Sequence, residues 1–403
     1  VFWWNLFLSL TIYCILYACA PAISRFYRIP LLSSVLRVQG IVLIINALNI
    51  IQSNQLRKRL NFRRLASIVV VDQLVGVIVA ILMALDGWGV WALVAQQIVA
   101  SSMTSLLLWI LNRWMPDLCF SMESFKQLFG FGSFILSSNL INTFCNNIQG
   151  LLIGRFFTPA IMGYYTQAHK LETVASHSFT SIIDQVSYPV LSRFQSDNNA
   201  LKKAIYKLVS SLVYVSFPLM SLLILEANPI ISLVYGEKWI QSIPYFQILC
   251  VAGMSATFHG VHYYAVACKG ESRDLFIGTV VKRVLALLVL VLGMSIWGVK
   301  GLLWGFSMGA WIISIVNMHL VSKHVGYTIY QQFKDLLPII ILSIITFCIT
   351  DSFLVFLNGY GWWSYLLALA LYVSLYIGLS VIFKIRAFQF LKETIRDYLQ
   401  KIL

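Results

Sequence analysis

Long runs of apolar residues recur along the whole chain, and short polar segments separate them. Most of these runs approach the roughly 20 residues that an α-helix needs to cross the hydrocarbon core of a bilayer. Each run therefore predicts a membrane-spanning helix. The clearest predicted spans are residues 2–23, 36–51, 66–85, 90–111, 204–225, 243–268, 275–297, 301–320, 336–357 and 362–383.

Two further segments, residues 128–152 and 160–186, are long enough to span a membrane but carry more polar side chains. With them the chain holds about twelve spans, which predicts an all-α, polytopic membrane protein. The first apolar run has no basic leader before it and no small-residue cleavage site after it, so it does not resemble a signal peptide. Because the chain begins with Val1 directly before that run, we expect the natural protein to start earlier.

The segment 160–186 is the most polar of the predicted spans, as the stretch GYYTQAHKLETVASHSFTSIIDQVSYP at residues 163–189 shows. On a helix its polar side chains fall within one arc of about 120°, and most apolar side chains fall on the other side. We call this arc the polar stripe; it comprises Thr166, His169, Lys170, Thr173, His177, Thr180, Ser181 and Asp184.

The neighbouring segment 128–152 has a similar arc, which comprises Asn139, Asn142, Asn146 and Gln149. Two adjacent spans with polar arcs predict a hydrated cavity at membrane depth. The pattern of the segment 160–186 also fits two alternatives. One is an amphipathic helix on the membrane surface, and the other is a set of hydrogen bonds between helices inside the bundle.

Charged side chains at membrane depth are costly unless they face water or a partner, which makes them candidates for a functional cavity. They are Arg37, Asp72, Lys170, Glu172, Asp184, Lys282 and Arg283. Near the end of a span, as for Asp72 or Lys282, the side chain is also able to extend to the surface. His177 and Asp184 are chemically able to carry a coupling proton. No third ligand joins the His259 and His262 pair, so a metal site is not indicated.

The chain contains 29 Lys and Arg residues against 15 Asp and Glu residues, which gives a formal net charge of +14. Such an excess can indicate nucleic acid, but here the dense basic runs fall in alternate loops, as in LRKRLNFRR at residues 56–64. This is the positive-inside distribution of a membrane protein whose C-terminus is cytoplasmic. The charge therefore predicts orientation and contact with anionic lipids rather than binding to nucleic acid.

An internal repeat relates two parts of the chain. The stretch VVVDQLVGVIVAILMALDGWGVWALV at 69–94 matches GTVVKRVLALLVLVLGMSIWGVKGLL at 278–303, with Trp-Gly-Val at the same place in both. Two parallel repeats with a substrate site between them are a common transporter plan. The second copy has two spans that the first lacks, so we expect two helices to be missing from the first copy. The predicted division is a first lobe at 1–111, a cytoplasmic linker at 112–127, a second six-helix lobe at 128–322, a final helix pair at 335–384 and an amphipathic cytoplasmic tail at 385–403.

Three stretches resemble the Wzx-type polysaccharide flippases of the multidrug/oligosaccharidyl-lipid/polysaccharide superfamily. They are GRFFTPAIMGYYTQAHKL at 154–171, SYPVLSRFQSD at 187–197 and YGEKW at 235–239. The resemblance implies a MATE-like, two-lobe bundle of fourteen helices in the bacterial inner membrane. It also implies alternating-access transport of undecaprenyl-diphosphate-linked oligosaccharides for O-antigen, capsule or exopolysaccharide synthesis. The implied partners are that lipid-linked glycan, membrane lipids, a polysaccharide polymerase and a chain-length regulator.

A diphosphate and an acidic glycan need cationic and hydrogen-bonding walls. The residues predicted to provide them are Lys170, His169, Thr166, Thr173, His177, Asp184, Asn139, Asn142, Asn146, Arg37, Lys282 and Arg283. No cofactor is expected beyond a coupling proton or sodium ion. A multidrug or small-molecule exporter of the same superfamily is the first alternative, although its cavity would be expected to be acidic. A membrane enzyme of polysaccharide synthesis is the second, but no nucleophile or paired-carboxylate motif supports it.

Overall fold

The computed structural model of the chain describes residues 2–59, 61–112, 114–117, 122, 140, 143–144, 147–357 and 361–402. Within these ranges the chain is helical apart from short connections, and it contains no strand. The prediction of an all-α, polytopic protein is therefore confirmed. The predicted span at 128–152 lies mostly outside the described residues.

The helices have the following bounds. They are α1 Phe2–Tyr27, α2 Leu31–Gln39, α3 Ile41–Lys58, α4 Phe62–Leu85, α5 Val90–Asn112, α6 Pro159–Ser192, α7 Asn198–Leu225, α8 Ala227–Tyr235, α9 Ile243–Met254, α10 Ala256–Ala267, α11 Ser272–Val325, α12 Ile329–Phe356, α13 Trp362–Ile382 and α14 Arg386–Ile402. Residues 147–156 are also helical, and Glu237–Ser242 forms a 3₁₀ helix between α8 and α9.

Eight helical segments in the described ranges are long and apolar enough to cross a membrane. One of them, α11, holds two predicted spans, because the backbone is not helical at Trp297 and Gly298 and the chain turns back there. The predicted span at 243–268 is divided at Ser255 into α9 and α10, each of which has 12 residues. The polar segment at 160–186 lies inside α6.

The chain forms two compact units, Val1–Ile148 and Gln149–Leu403. In the first unit, Leu56 of α3, Ile68 of α4 and Leu108 of α5 form a buried apolar layer. Further along the same pair of helices, a Cβ atom added to Gly76 would lie 3.1 Å from the Cβ of Ala100. These two contacts fix the register of α4 against α5. The lobe boundaries predicted from the sequence stay a prediction.

The second unit contains a seam of glycines where the two halves of α11 pack against each other. A Cβ atom added to Gly305 would lie 2.6 Å from the carbonyl oxygen of Val289 and 2.8 Å from the Cα of Leu290. In the same way, a Cβ atom added to Gly301 would clash with the backbone of Gly293, and one added to Gly309 would lie against Ala286. Small residues four apart are typical of closely packed membrane helices, because they let the backbones touch.

Both ends of this α11 hairpin are fixed by local interactions. At the turn, Gly298 has a φ of +60°, and Gly89 in the matching Trp-Gly-Val motif of the first unit has a φ of +54°. The repeated motif therefore uses glycine for the same reason twice, since an L side chain rarely adopts positive φ. At the opposite end, Lys323 donates to Asp274, and the Nε2 atom of His324 lies 2.8 Å from the same carboxylate.

Helix α7 lies at the centre of the second unit and contacts α9, α10, α12 and α14. Tyr214 of α7 donates to the Oγ of Ser380 on α13 at 2.7 Å, and Tyr376 donates back to the carbonyl oxygen of Tyr214 at 2.9 Å. The tail helix α14 packs onto the same surface through Phe388, whose ring centroid is 6.1 Å from that of Tyr214. These contacts hold the last two helices against the body of the unit.

Candidate functional site

Helix α6 begins at a strong local signal. The side-chain oxygen of Thr158 accepts a hydrogen bond from the backbone N–H of Ile161 at 3.4 Å, and Pro159 occupies the first helical position. A threonine cap followed by proline favours helix initiation, because it satisfies one free donor and removes another. The helix then continues for 34 residues to Ser192, which at 1.5 Å per residue is about 50 Å. It is long enough to cross a bilayer despite its polarity.

One face of α6 is packed against the second unit. The side chains of Tyr165, Ala168, Phe179 and Ile183 are buried, and their separations of three, eleven and four residues place them on one side of a helix. This face contacts α9 and α10 most extensively, and α7 to a smaller extent. It supplies the packing that holds such a polar helix in place.

The polar stripe lies beside this packed face, at the surface of the second unit. Lys170, Thr173, His177 and Asp184 are exposed, and the other four members of the stripe are partly buried. Val174, which the sequence pattern assigns to the apolar side, is 73% exposed, so the outer face is broader than the stripe itself. The role of this surface as a cavity wall stays a prediction.

Most hydroxyl groups of the stripe donate to carbonyl oxygens of their own helix. Thr166 donates to Met162 at 2.7 Å, and Thr180 donates to His177 at 3.1 Å. Such bonds satisfy the hydroxyl donors without a second helix, while the oxygen keeps a lone pair for a further contact. Among the described residues, Lys170 has no hydrogen bond or ion pair. The stripe thus presents an ammonium group beside hydroxyl and imidazole groups.

Asp184 differs from the rest of the stripe because it is tied to another helix. The hydroxyl of Tyr264 on α10 donates to the Oδ1 of Asp184 at 3.1 Å. The ring of Tyr264 also contacts Tyr188, one turn further along α6, with ring centroids 6.4 Å apart. One end of the polar stripe is therefore held in position by α10.

Glu172, a candidate from the sequence, lies on the packed face of α6 and not on the stripe. Its side chain is buried, and a Cβ atom added to Gly253 of α9 would lie 2.7 Å from its Oε1. Met220 of α7 borders the same space, because its Cε would be 3.3 Å from that Cβ. The absence of a side chain at Gly253 therefore leaves the room that the carboxyl group occupies.

A second polar cluster lies between α10 and the two halves of α11. Lys282 is only 3% exposed, and its Nζ donates to the Oδ1 of Asn317 at 3.1 Å. The amide nitrogen of Asn317 in turn lies 2.6 Å from the Nδ1 of His259 and 3.1 Å from the carbonyl oxygen of that residue. The ammonium also lies 5.5 Å from the ring centroid of Tyr263. Lys282 is thus held inside the second unit by polar and aromatic partners.

The remaining charged candidates are placed differently. Arg283 is half-buried beside Lys282 on α11. Arg37 belongs to the first unit, where its guanidinium carbon lies 4.4 Å from the ring centroid of Tyr17 and its Nε donates to the carbonyl oxygen of Tyr17 at 3.3 Å. Arg37 is therefore stacked along α1. Its contribution to a substrate cavity stays a prediction.

His262 has a structural role. Its Nδ1 lies 2.6 Å from the carbonyl oxygen of Phe258, and its Nε2 lies 2.8 Å from the Oε1 of Gln332. Both ring nitrogens are therefore occupied, which leaves neither for a metal ion. No group of three potential metal ligands occurs among the described residues.

Several contributors to these clusters have no signal in the sequence. Asn317 and Tyr264 lie in ordinary apolar spans, and only the fold brings them to Lys282 and Asp184. Gln149 was predicted to lie in a polar arc, and it accepts a hydrogen bond from the buried Tyr165 at 3.2 Å. The other predicted members of that arc, Asn139, Asn142 and Asn146, lie outside the described residues.

Comparisons with known proteins relate the chain to proteins of surface polysaccharide synthesis. It is 26% identical over 276 residues to the teichuronic acid biosynthesis protein TuaB of Bacillus subtilis strain 168, covering 68% of this chain and 57% of that protein. It is 28% identical over 238 residues to the lipopolysaccharide biosynthesis protein WzxC of Escherichia coli K12, covering 59% and 48%. It is 23% identical over 252 residues to the succinoglycan biosynthesis transport protein ExoT of Rhizobium meliloti strain 1021, covering 62% and 51%.

The chain therefore spans about half the length of these curated relatives. A solved structure, the lipid II flippase MurJ in an inward closed conformation, matches the fold with a TM-score of 0.73. The match covers 94% of this chain and 81% of that chain at 14% identity. This similarity shows the fold, and it confirms the predicted class of polytopic helix bundle.

A family model described as "Polysaccharide biosynthesis protein" matches residues 1–244. That match covers more than half of the 403 residues and agrees with the resemblance to Wzx-type proteins. The chain is a multi-pass membrane protein and belongs to the polysaccharide biosynthesis protein family.

Proposed function

We propose that this protein moves undecaprenyl-diphosphate-linked oligosaccharides across the bacterial inner membrane for O-antigen, capsule or exopolysaccharide synthesis. The observation that carries the proposal is the combination of a family match over residues 1–244 with the fold of a lipid II flippase. The name of ExoT, a biosynthesis transport protein, supports transport rather than covalent chemistry. Flipping breaks no bond in the cargo, so no catalytic residue is required.

We assign the polar stripe of α6 to the cargo's head group. The exposed ammonium of Lys170 is suited to a diphosphate, which it would contact as a point charge. The imidazole and hydroxyl groups of His169, Thr173 and His177 are suited to sugar hydroxyls, which both donate and accept hydrogen bonds. The undecaprenyl tail stays in the lipid, because transferring it from hydrocarbon to a polar surface is unfavourable. Arg37, Lys282, Arg283 and the asparagines at 139, 142 and 146 are the further residues that we propose to contribute to cargo binding.

The proposed mechanism is alternating access. A conformation open to the cytoplasm would bind the head group, and a conformation open to the periplasm would release it. In the proposed orientation the inner loops carry the basic runs, and α14 lies on the cytoplasmic side of the inner membrane. A polysaccharide polymerase and a chain-length regulator would then receive the flipped unit. A proton or sodium gradient would supply direction.

An exporter of small cations has less support. The exposed charge without a partner on the described stripe is basic, and the stripe's carboxylate, Asp184, already accepts a hydrogen bond from Tyr264. A cationic drug would be repelled by the ammonium of Lys170, and it would compete with Tyr264 for the carboxylate of Asp184.

The direct test is deletion and complementation in the source organism, with surface polymer and lipid-linked repeat units measured together. Deletion of a flippase gene should lower surface polymer and raise the amount of lipid-linked units on the cytoplasmic side. Re-expression of the gene should reverse both changes. Unchanged lipid-linked units after deletion would refute the proposed function.

The site assignment is tested in the complemented strain by exchanging one lysine. Lys170→Ala should abolish polymer export at unchanged protein abundance, while Lys170→Arg should keep part of it because the charge remains. Lys300→Ala removes another exposed lysine, outside α6, and serves as the matched control. Normal export by Lys170→Ala would show that the stripe does not contact the cargo in this way.

A further inference from the structure

A group of aromatic side chains surrounds the beginning of α6, and the proposed cargo surface does not use it. Trp239 of the 3₁₀ helix lies at its centre. The ring centroids of Tyr164 on α6 and Tyr235 at the end of α8 lie 5.9 Å and 6.3 Å from that of Trp239. The Nζ of Lys238 lies 6.0 Å from the centroid of the same ring. We call these four residues the aromatic cluster; three of them belong to the stretch YGEKW at 235–239, which resembles the polysaccharide flippases.

Two glycines determine where Trp239 lies. Gly236 has a φ of +88°, which lets the chain turn sharply between α8 and the 3₁₀ helix. A Cβ atom added to Gly163 of α6 would lie 3.6 Å from the Cζ3 and 3.8 Å from the Cη2 of Trp239. The edge of the indole ring therefore lies over α6 at a position that has no side chain.

Gly163 lies on the same side of α6 as the polar stripe. It precedes Ser181 by 18 residues, which is five full turns at 3.6 residues per turn. Thr166, the first member of the stripe, follows Gly163 by three residues. Trp239 therefore lies at the N-terminal end of the stripe, which is the periplasmic end in the proposed orientation. Lys170 is about 10 Å further along the axis of α6, a distance that a short oligosaccharide can span.

The surroundings of Trp239 distinguish it from the tryptophans of an aromatic belt. Trp and Tyr are enriched at both interfaces of a membrane, where their rings lie among the lipid head groups. Four tryptophans at other helix ends, Trp88, Trp297, Trp362 and Trp363, are 55–73% exposed, as a belt requires. Trp239 is instead partly buried against α6. Its indole N–H has no hydrogen-bond partner among the described residues.

We propose that the aromatic cluster binds a sugar ring in the glycan of the cargo, an inference that rests on the proposed transport function. A pyranose carries C–H groups on its faces and hydroxyl groups around its edge. The apolar C–H face is suited to the ring of Trp239, as in other contacts with the negative face of an aromatic system. The sugar hydroxyls can accept from the free indole N–H and donate to the hydroxyl oxygen of Thr166. Lys238 would in addition attract an acidic sugar.

The proposed subsite divides the recognition of the cargo between the two ends of this surface. Lys170 contacts the diphosphate, which every lipid-linked unit carries. The aromatic cluster contacts only the glycan. Loss of Trp239 should therefore weaken binding of the glycan-bearing lipid more than binding of the carrier lipid alone.

The test compares two ligands that differ only in the glycan. The purified full-length protein in nanodiscs is titrated with lipid-linked repeat units extracted from the deletion strain and, separately, with undecaprenyl diphosphate. We expect the wild type to bind the repeat unit about tenfold more tightly, as one aromatic anchor can provide. Trp239→Leu should bring the ratio of the two affinities close to one, because leucine still packs on Gly163 but has no ring.

Two further variants separate the ring from the packing. Trp239→Phe should keep part of the affinity ratio, since phenylalanine is apolar like leucine but presents an aromatic face. Trp363→Leu makes the same exchange at a tryptophan that is 73% exposed and should keep the wild-type ratio. A wild-type ratio in Trp239→Leu would assign Trp239 to anchoring in the membrane and overturn the proposal.

The wild-type protein alone distinguishes failure of the subsite from failure of the proposed function. Equal affinities for the repeat unit and for undecaprenyl diphosphate would overturn the sugar subsite and leave the transport function standing. Binding of neither ligand would count against the transport function and, with it, against the subsite.

Discussion

The Nδ1 atom of His169 lies 2.7 Å from the Oγ1 atom of Thr173, one turn further along α6. Thr173 donates its only hydroxyl proton to the carbonyl oxygen of His169 at 2.7 Å, so the ring nitrogen must be the donor to Oγ1. A neutral His169 is therefore protonated on Nδ1, and its Nε2 is an acceptor. Thr173 thus decides which ring nitrogen of His169 is the hydrogen-bond acceptor for the proposed cargo.

Replacement of Thr173 tests this coupling. Thr173→Val keeps the shape of the side chain but removes the acceptor for Nδ1, whereas Thr173→Ser keeps it. A lost hydrogen bond of about 0.5–1.5 kcal/mol corresponds to a decrease in export of roughly two- to tenfold if it acts on cargo binding. Surface polymer per unit of protein measures the effect. Equal export by the valine and serine variants would show that the His169 tautomer does not matter.

The bond between Tyr264 and Asp184 should contribute to the stability of the second unit. Tyr264→Phe removes the donor while leaving the ring contact with Tyr188, and we expect a loss of about 0.6–1.5 kcal/mol. The melting temperature in detergent should fall by a few degrees. Tyr330→Phe removes the hydroxyl of a highly exposed tyrosine and is the control. A melting temperature lowered equally in both variants would contradict the assignment.

A Gly→Ala exchange should have opposite effects on stability inside the glycine seam of α11 and outside it. Gly305→Ala places a methyl group against backbone atoms of Val289 and Leu290, so the helix halves must separate at a cost of about 1–3 kcal/mol or more. Gly378→Ala on α13 meets nothing within 4 Å and should gain up to about 1 kcal/mol from helix propensity. Thermal unfolding of the two variants measures both. A Gly305→Ala protein as stable as wild type would disprove close backbone packing.

Glu226 predicts a pH dependence of stability. It lies in the connection between α7 and α8, outside the spanning helices, and burial raises its pKa from 4.5 to about 7. A carboxyl group with a raised folded pKa does not destabilise the fold below about pH 4.5. The penalty then grows as the pH rises through about 7, up to at most about 3 kcal/mol.

Melting temperatures between pH 5 and pH 8 check this sign. The wild-type protein should lose stability as the pH rises, and Glu226→Gln should show a flatter profile because the amide cannot ionise. Glu237→Gln, an exposed glutamate in the following 3₁₀ helix, should keep the wild-type slope. A wild-type slope that is unchanged in Glu226→Gln would assign the pH dependence to another group.

The sequence predicted the helices well where length and hydropathy determine them. The spans at 275–297 and 301–320 are the two halves of α11, and the Trp-Gly-Val motif marks the turn between them. The division at Ser255 was not predicted, because no proline or long polar run interrupts residues 243–268 near that point. Apolar composition reports depth in the membrane, but it does not report where a helix is divided.

The candidate site was predictable only as far as one helix determines it. The polar stripe follows from helical periodicity, so its members could be named before the fold was known. The network around Lys282 could not, because Asn317 lies on the other half of α11 and His259 lies on α10, and no local pattern links either residue to Lys282. Burial of Glu172 against Gly253 also depends on how α6 and α9 pack. Contacts between helices require the tertiary structure.

The α11 hairpin has a mechanical consequence for any transport cycle. Its backbones touch along the glycine seam, and Lys323 and His324 join its far end to Asp274. The two halves are held together at the turn, along the glycine seam and at the ends that Asp274 joins. The hairpin should therefore move as one rigid unit, because separating the halves would break all three sets of contacts. Bending within the second unit would then be concentrated in other helices. Lys282 and Asn317 lie on opposite halves of the hairpin, so the distance between them would stay constant while the surfaces around them change.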